Sequence, residues 1–299
     1  MNFRRSAVSA LVLACCFCLV RAAELPPVVV VYPEVSAPYR ASFEEILNGI
    51  AKRTPARRIV INSPGSAADT LRQLAPANII ALGRAGKNEA LLADGRAHIT
   101  CAALVNPDRD CPNATFGLLP DPALLFARLK LLNPNSKRVF VVYSQTQNGW
   151  QLPLARAAAA SRNLELVALE VTDSKAAVEA FKRIFAGANA DSDAIWMLPD
   201  SNSSESSAVV PLVLTEAWRR DVMVFSSAME HVRRGAVFSV LPNFVDYGYA
   251  VADAALRGST RNELITLKQV RYIVNSRAAQ HLGLSTADIA AFDVITPQP

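Results

Sequence analysis

Histidine is scarce in this chain, with three in 299 residues. His98, His231 and His281 lie on separate stretches and none has metal-ligand spacing, so zinc or proton-shuttle chemistry has no cluster to stand on. Cys-x-x-Cys is absent, which removes redox and zinc readings of the cysteines. The Gly-x-Ser-x-Gly elbow of a serine hydrolase is missing. Gly83-Arg84-Ala85-Gly86 lacks both the full dinucleotide fingerprint and the Gly-Lys-Ser/Thr of a phosphate loop. Acidic pairs such as Glu44-Glu45 fall on a helix surface and read as solvated. No apolar run reaches the roughly 20 residues that a helix needs to cross a bilayer core of about 30 Å.

The first residues do carry a pattern. Arg4 and Arg5 precede an apolar run from Ala7 to Val20, and small residues follow at Ala22 and Ala23. That is the layout of a secretory signal peptide, with Val20 and Ala22 placed for cleavage before Ala23. Val12-Leu13-Ala14-Cys15 approximates a lipoprotein box, but Leu13 fits it poorly, so a lipid on Cys15 is the weaker expectation. Losing residues 1–22 removes Arg4, Arg5 and Arg21, so 31 basic residues become 28 against 26 acidic ones, a net of +2. So small an excess excludes nothing and points to no nucleic-acid partner. Cys101 and Cys111 are the cysteines that remain, and in an oxidising compartment their short separation predicts a disulfide.

About 277 residues are too many for one ordinary core and comfortable for two domains. Along them, short β-branched runs alternate with stretches of helical spacing, the signature of βαβ units around parallel sheets. Strands are expected at 28–32, 58–62, 79–82 and 98–102, with helices at 40–53, 67–74 and 87–92 between them. The segment from Val105 to Pro122, with four prolines, Cys111 and several polar turn formers, breaks the rhythm and reads as a crossing between domains. The alternation resumes with strands at 138–143, 164–170, 194–198 and 222–225, interleaved with helices at 123–132, 151–161, 175–186 and 207–220. Further strands are expected at 237–241 and 269–274, and helices at 247–256 and 277–282.

In open α/β sheets, ligands sit beyond the carboxyl ends of strands. The residues at those ends are therefore the candidates: Pro33, Glu34 and Ser36; Gly83 and Arg84; Ala102 and Ala103; Tyr143, Ser144 and Gln145; Asp200, Ser201 and Asn202; Ser226 and Ser227; and Asn243. Arg84 could fork a ligand carboxylate, or could be a solvated cation at a helix start. Asp200 could accept from a ligand ammonium while Asn202 and Ser227 supply neutral hydrogen bonds. The bland alternative for these is helix capping, which the Ser203–Ser207 run favours. Tyr143 could stack on a ring or be half-buried core.

Four passages, in order, resemble one family. They are NATFGLLPDPALLFARLKLLNPNSKRVFVVYS, DAIWMLPDSNSS, RRGAVFSVLPNFVDYGYAVADAAL and VRYIVNSRAAQHLGLS. Together they are similar to the ABC-importer substrate-binding proteins of the type I periplasmic class, which include binders of tryptophan and other aromatic amino acids. Two departures bear on the ligand: Gly83-Arg84-Ala85 stands where that family has Gly-Thr-Pro, and its Asp-Asn pair is spread over Asp200-Ser201-Asn202-Ser203. The resemblance implies an α/β protein of two Rossmann-like lobes with parallel sheets joined by a multi-strand hinge. The expected division is 1–22 as signal peptide, 23–118 plus 242–266 as the first lobe, and 119–241 plus 267–299 as the second. The implied function is capture of a small polar, amino acid-like solute for an inner-membrane ABC permease, by a monomeric periplasmic protein that is not an enzyme and needs no cofactor or metal. The expected ligand-binding residues are Glu34, Arg84, Tyr143, Ser144, Asp200, Asn202, Ser227 and Asn243, with Asp200 and Asn202 favoured by the resemblance. The alternative is a ligand-sensing or interaction partner of another envelope protein, on the same fold without transport.

Overall fold

The computed structural model describes residues 28–297, apart from 38, 94, 109, 203–207 and 259–261. The expected leader, its cleavage before Ala23, a lipid at Cys15 and capping by Ser203–Ser207 lie outside the described residues.

The chain first lays down β1 (Val28–Pro33), α1 (Arg40–Arg53), β2 (Ala56–Ile61), α2 (Ser66–Leu74), β3 (Asn78–Leu82), α3 (Gly83–Leu92), β4 (His98–Leu104) and β5 (Ala114–Pro120). It then runs through α4 (Pro122–Leu132), β6 (Arg138–Tyr143), α5 (Gln145–Asn148), a 3-10 turn at Gly149–Gln151, α6 (Leu152–Ala160), β7 (Glu165–Glu170), α7 (Ser174–Gly187), β8 (Asp193–Met197), α8 (Val209–Arg219), β9 (Met223–Ser226), α9 (Met229–Arg234) and β10 (Phe238–Pro242). Next come α10 (Phe244–Arg257) and β11 (Glu263–Leu267), then β12 (Val270–Asn275), α11 (Ser276–His281), α12 (Thr286–Ala290) and β13 (Val294–Thr296).

These strands form two separate sheets. The first has six strands in the order β11-β5-β4-β3-β1-β2, and the second has seven in the order β13-β12-β10-β9-β8-β6-β7. Every pairing in the first sheet is parallel, and in the second only β10 with β12 is antiparallel. The Val28–Val31 run shows why so continuous an apolar stretch is needed. Val28 and Val30 pack into the core under α1 and α10, whereas Val29 and Val31 pack with Leu71, Ala90 and Cys101 on the opposite face. Helices on both faces leave no polar side for the strand to show. The second sheet is sandwiched in the same way between two cores, one around Phe126, Trp196 and Phe225, the other around Phe181, Ile195 and Val213.

The stretch from Val105 to Pro122, expected as a crossing, holds the full strand β5. Its sequence, ATFGLLP, has only one β-branched residue and a central glycine. Pairing with β4 on one side and β11 on the other makes it a strand, and that pairing is tertiary. β11, α9, α12 and β13 were likewise not expected from the pattern.

The chain passes between the sheets three times, at Pro120–Pro122, Pro242–Phe244 and Leu267–Val270. These passages are tied together. The Asp121 N–H donates to the Leu267 carbonyl at 2.9 Å, the Asn243 N–H to the Gln269 carbonyl at 2.8 Å, and the Thr266 hydroxyl to the Asp121 carboxylate at 2.9 Å. Asp121 also caps α4 through the Ala123 N–H, just ahead of Pro122 in the first turn. The returning helix α10 crosses α1 where each has a glycine. A Cβ on Gly248 would stand 2.1 Å from the Ile46 carbonyl oxygen, and one on Gly49 would stand 2.0 Å from that of Val245. Only glycine permits backbones that close.

Candidate functional site

The parallel strands of both sheets end on the side of the crossings, since β5 leaves the first sheet at Pro120 and β10 leaves the second at Pro242. The carboxyl ends of the two sheets therefore face each other about the three passages. This is the arrangement in which free helix N-termini and strand-end side chains from both halves reach one space.

On the first sheet, β3 turns into α3 through Gly83, whose φ of 71° suits glycine. That turn exposes Arg84 on the first turn of α3, and no ion pair is formed by it among the described residues. The Gly83–Gly86 run thus serves a strand-to-helix corner. Glu34 is exposed past the end of β1 and lines a recess of 480 Å³ with Tyr32, Arg40, Phe43, Val60 and Asn62. At the end of β4, Ala103 has a φ of 59°, and its N–H donates to Tyr247 Oη at 2.9 Å, which in turn donates to the Phe116 carbonyl at 3.0 Å. Burial pushes the Tyr247 phenol far above its ordinary pKa, so it stays a neutral donor that pins α10 to the strand ends.

Cys101 of β4 and Cys111 of the loop after it are joined in a disulfide, their Cα atoms 6.1 Å apart. The same loop is fastened a second time, because Asp108 pairs with the buried ammonium of Lys87 on α3. Burial raises the Asp108 pKa, but the hydrogen bond and charge of Lys87, with the charge of Arg84, outweigh it and hold the carboxyl below its ordinary value.

On the second sheet the expected polar residues are brought together, but largely on one another. Asp200 is fully buried and its carboxylate receives the Ser144 N–H at 2.7 Å, the Asn202 N–H at 2.9 Å and the Asn148 side-chain amide at 3.0 Å. The reading of Asp200 as acceptor for a ligand ammonium is corrected on this point: its oxygens organise the loop and offer no surface. Tyr143 closes β6 inside the core with Trp196 and Phe126, and burial first, then the Glu170 charge, raises its pKa. It is core, not a stacking platform. Ser227, buried, is spent on Trp196, accepting from its indole Nε1 at 2.9 Å. Asn243 caps α10, its side chain accepting from the Asp246 N–H at 3.2 Å and donating to the Asp246 carboxylate at 2.6 Å. Ser144 and Asn202 stay close, with the Asn202 amide 3.4 Å from Ser144 Oγ, and Asn202 is half-buried, with part of its surface still open.

His231 and Ser226 meet at 2.7 Å in the buried corner between β9 and α9, where Ser226 also bonds the Met197 carbonyl, which is a structural use of both. Among the described residues no group of three His, Cys, Asp or Glu could hold a metal ion. No helix of the described residues is long and apolar enough to cross a membrane.

Sequence reasoning named Ser144 and Gln145 but passed over residues 146–150 of the turn that follows β6. Asn148 is buried, Trp150 reaches the first sheet's Gly117, and Asn106 of the first half donates to the Thr146 carbonyl at 2.8 Å. The signal was present as the amide-rich run Gln145-Thr146-Gln147-Asn148-Gly149-Trp150-Gln151 directly after a strand end.

Residues 115–291 match the family model described as ABC transporter substrate binding protein. The chain belongs to this family. Solved structures agree on the architecture of this substrate-binding protein. A ligand-free, open structure of a substrate binding protein with adhesive properties from Clostridium difficile superposes with a TM-score of 0.63 at 15% identity, covering 91% of this chain and 100% of that one. The ABC domain in complex with L-Trp from Streptococcus pneumoniae gives 0.54 at 16% identity, covering 90% and 99%. A periplasmic ribose ABC transporter protein from Conexibacter woesei gives 0.52 at 14% identity, covering 89% and 98%. At these identities the likeness shows the fold, the type I periplasmic binding protein fold of two α/β lobes. No curated protein matches the chain.

Proposed function

We propose that this protein captures a small polar solute between its lobes and hands it to an ABC permease. The observation that carries the reading is the meeting of two sets of strand carboxyl ends about three tied passages, in a chain of the substrate-binding family. The passages are short and irregular, so the lobes can turn about them, and a solute touching both lobes favours the closed arrangement by the contacts made only there. Residues 23–118 with 242–266 form one moving body in this reading, and 119–241 with 267–299 the other. The solute is amino acid-like: Arg84 is exposed and forms no ion pair among the described residues, so it can receive a carboxylate, Glu34 stands on the same lobe for an ammonium, and Ser144 and Asn202 offer neutral hydrogen bonds from the other. The L-Trp complex of a protein with the same fold supports that class of solute without naming it here. The leader pattern at Arg4–Ala23 supports a periplasmic location.

The test is a thermal-shift and small-angle scattering screen of the purified protein against amino acids, nucleosides and sugars. A binding solute should raise the melting temperature and reduce the radius of gyration together. A panel without either effect removes the capture reading. A pull-down from envelope extract that yields an integral-membrane permease supports transport, and one that yields an outer-membrane receptor or sensor favours an interaction role on the same fold.

A further inference from the structure

Two buried polar atoms in the turn after β6 have no partner among the described residues. They are Trp150 Nε1 and Gln151 Oε1, both closed off from solvent and consecutive in the Gly149–Gln151 turn. Their roles follow from the neighbours. Asn148 donates its amide to the Pro199 carbonyl at 3.2 Å and to Asp200 at 3.0 Å, so its oxygen faces Gln151, whose amide nitrogen donates to it at 3.1 Å. Gln151 is thereby left with a bare acceptor on a side chain with no exposed surface. Trp150 is left with a bare donor. The buried carboxylate of Asp200 fixes the order of the whole chain of amides.

The turn also spans the boundary. A Cβ on Gly117 of β5 would stand 3.4 Å from Trp150 Cη2 and 3.6 Å from Pro107 Cγ, so the indole of one lobe lies on the backbone of the other. The bond from Asn106 to the Thr146 carbonyl crosses at the same place. Buried polar atoms without partners are uncommon and costly, so each calls for an explanation, and a bound group that completes them is one.

We propose that the Trp150–Gln151 turn reads the solute, Trp150 Nε1 donating to an acceptor oxygen of the ligand and Gln151 Oε1 accepting from a ligand N–H, when the lobes part at Gly117 to admit it. This rests on the capture reading above and narrows it. The turn has no charge to spend, so what it asks of the ligand is an acceptor for the indole N–H and an N–H for the amide oxygen, which the carboxylate and ammonium of a free amino acid supply.

The chain holds three tryptophans, Trp150, Trp196 and Trp218, so three indole N–H resonances report the test in a nitrogen-edited NMR spectrum of the full mature protein. Trp150→Phe identifies its own resonance by loss and keeps a ring on Gly117, while the other two resonances report that the fold survives. In the free protein the Trp150 resonance should sit at the unbonded position. Titrated with each of the twenty L-amino acids, it should move downfield with whichever binds, and Trp150→Phe should weaken that binding about tenfold or more. Should Trp150→Phe lose its dispersed spectrum, Gln151→Met is read instead, with the same expected loss. A Trp150 N–H already bonded in the free protein, to a buried water for example, overturns the inference. So does an amino acid that binds while the Trp150 resonance stays put or that binds Trp150→Phe equally well, and in that case the capture reading stands. If none of the twenty moves any resonance, the amino-acid class fails and takes this inference with it.

Discussion

Removing the carboxylate of Asp200 would strand the N–H groups of Ser144 and Asn202 and the amide of Asn148 in a buried loop. A buried donor left unpaired costs about 1–3 kcal/mol. Asp200→Ala should therefore lower the urea unfolding free energy by roughly 3 kcal/mol, and Asp200→Asn by less, because an amide oxygen still accepts. A ligand contact alone would leave the unfolding of the free protein unchanged, so the melt separates the two roles. Asp108 gives the pH counterpart. Its carboxyl lies below its ordinary value in the folded protein, held there by Lys87 against the opposing effect of burial. A depressed acid contributes stability that is complete above its unfolded pKa of about 4 and disappears as pH falls through the lower folded value. The melting temperature should thus fall on acidification below about pH 4, and Asp108→Asn should flatten that part of the curve while matching the wild type less well at pH 7. Because Asp108 is half exposed, solvent screening keeps the effect small.

At the scale of elements, the crossing of α1 and α10 is the tightest joint in the first lobe. Gly248→Ala would place a methyl 2.1 Å from the Ile46 carbonyl oxygen, and the helices would have to separate. A loss of about 1–3 kcal/mol follows, read as a lower chemical-denaturation midpoint. Gly187, near the end of α7, is the control, since nothing lies within 4 Å of its Cβ position. Gly187→Ala should leave stability unchanged or raise it by about 0.5 kcal/mol through helix propensity. The loop after β4 depends on a different device. Cys111→Ala opens a loop with ten residues of sequence separation, and the entropy regained by the unfolded chain should cost the fold about 2–3 kcal/mol, with the same shift in wild type on adding reductant.

For the whole molecule, the three tied passages mean that neither lobe is a simple stretch of chain: each is assembled from segments far apart in sequence. A solute bound at about a hundred times its dissociation constant stabilises the folded state by about 2.7 kcal/mol. In a chain of this size that should appear as a rise in melting temperature of roughly 5 °C, with compaction in scattering as its companion. A rise without compaction would place the solute on one lobe and count against closure about the passages.

The alternation of strands and helices, the two-lobe size and the continuous Val28–Val31 run were legible in the amino-acid order, because period and length are local properties. The strand-end positions named from it lie at or near the ends of β1, β3, β4, β6, β8, β9 and β10. What each side chain does there was not legible. A carboxylate such as Asp200 reads the same whether it meets a solute or donors of the protein itself, and only folding brings Ser144 and Asn148 to it across more than fifty residues, to join Asn202 from two residues along its own loop. β5 was hidden for the same reason, as its strand character lies in its neighbours β4 and β11. The sequence by itself determined most of the elements and the α/β class. The tertiary structure decided which polar atoms are satisfied and which, at Trp150 and Gln151, are left waiting, since hydrogen-bond partners distant in the chain are chosen only by packing.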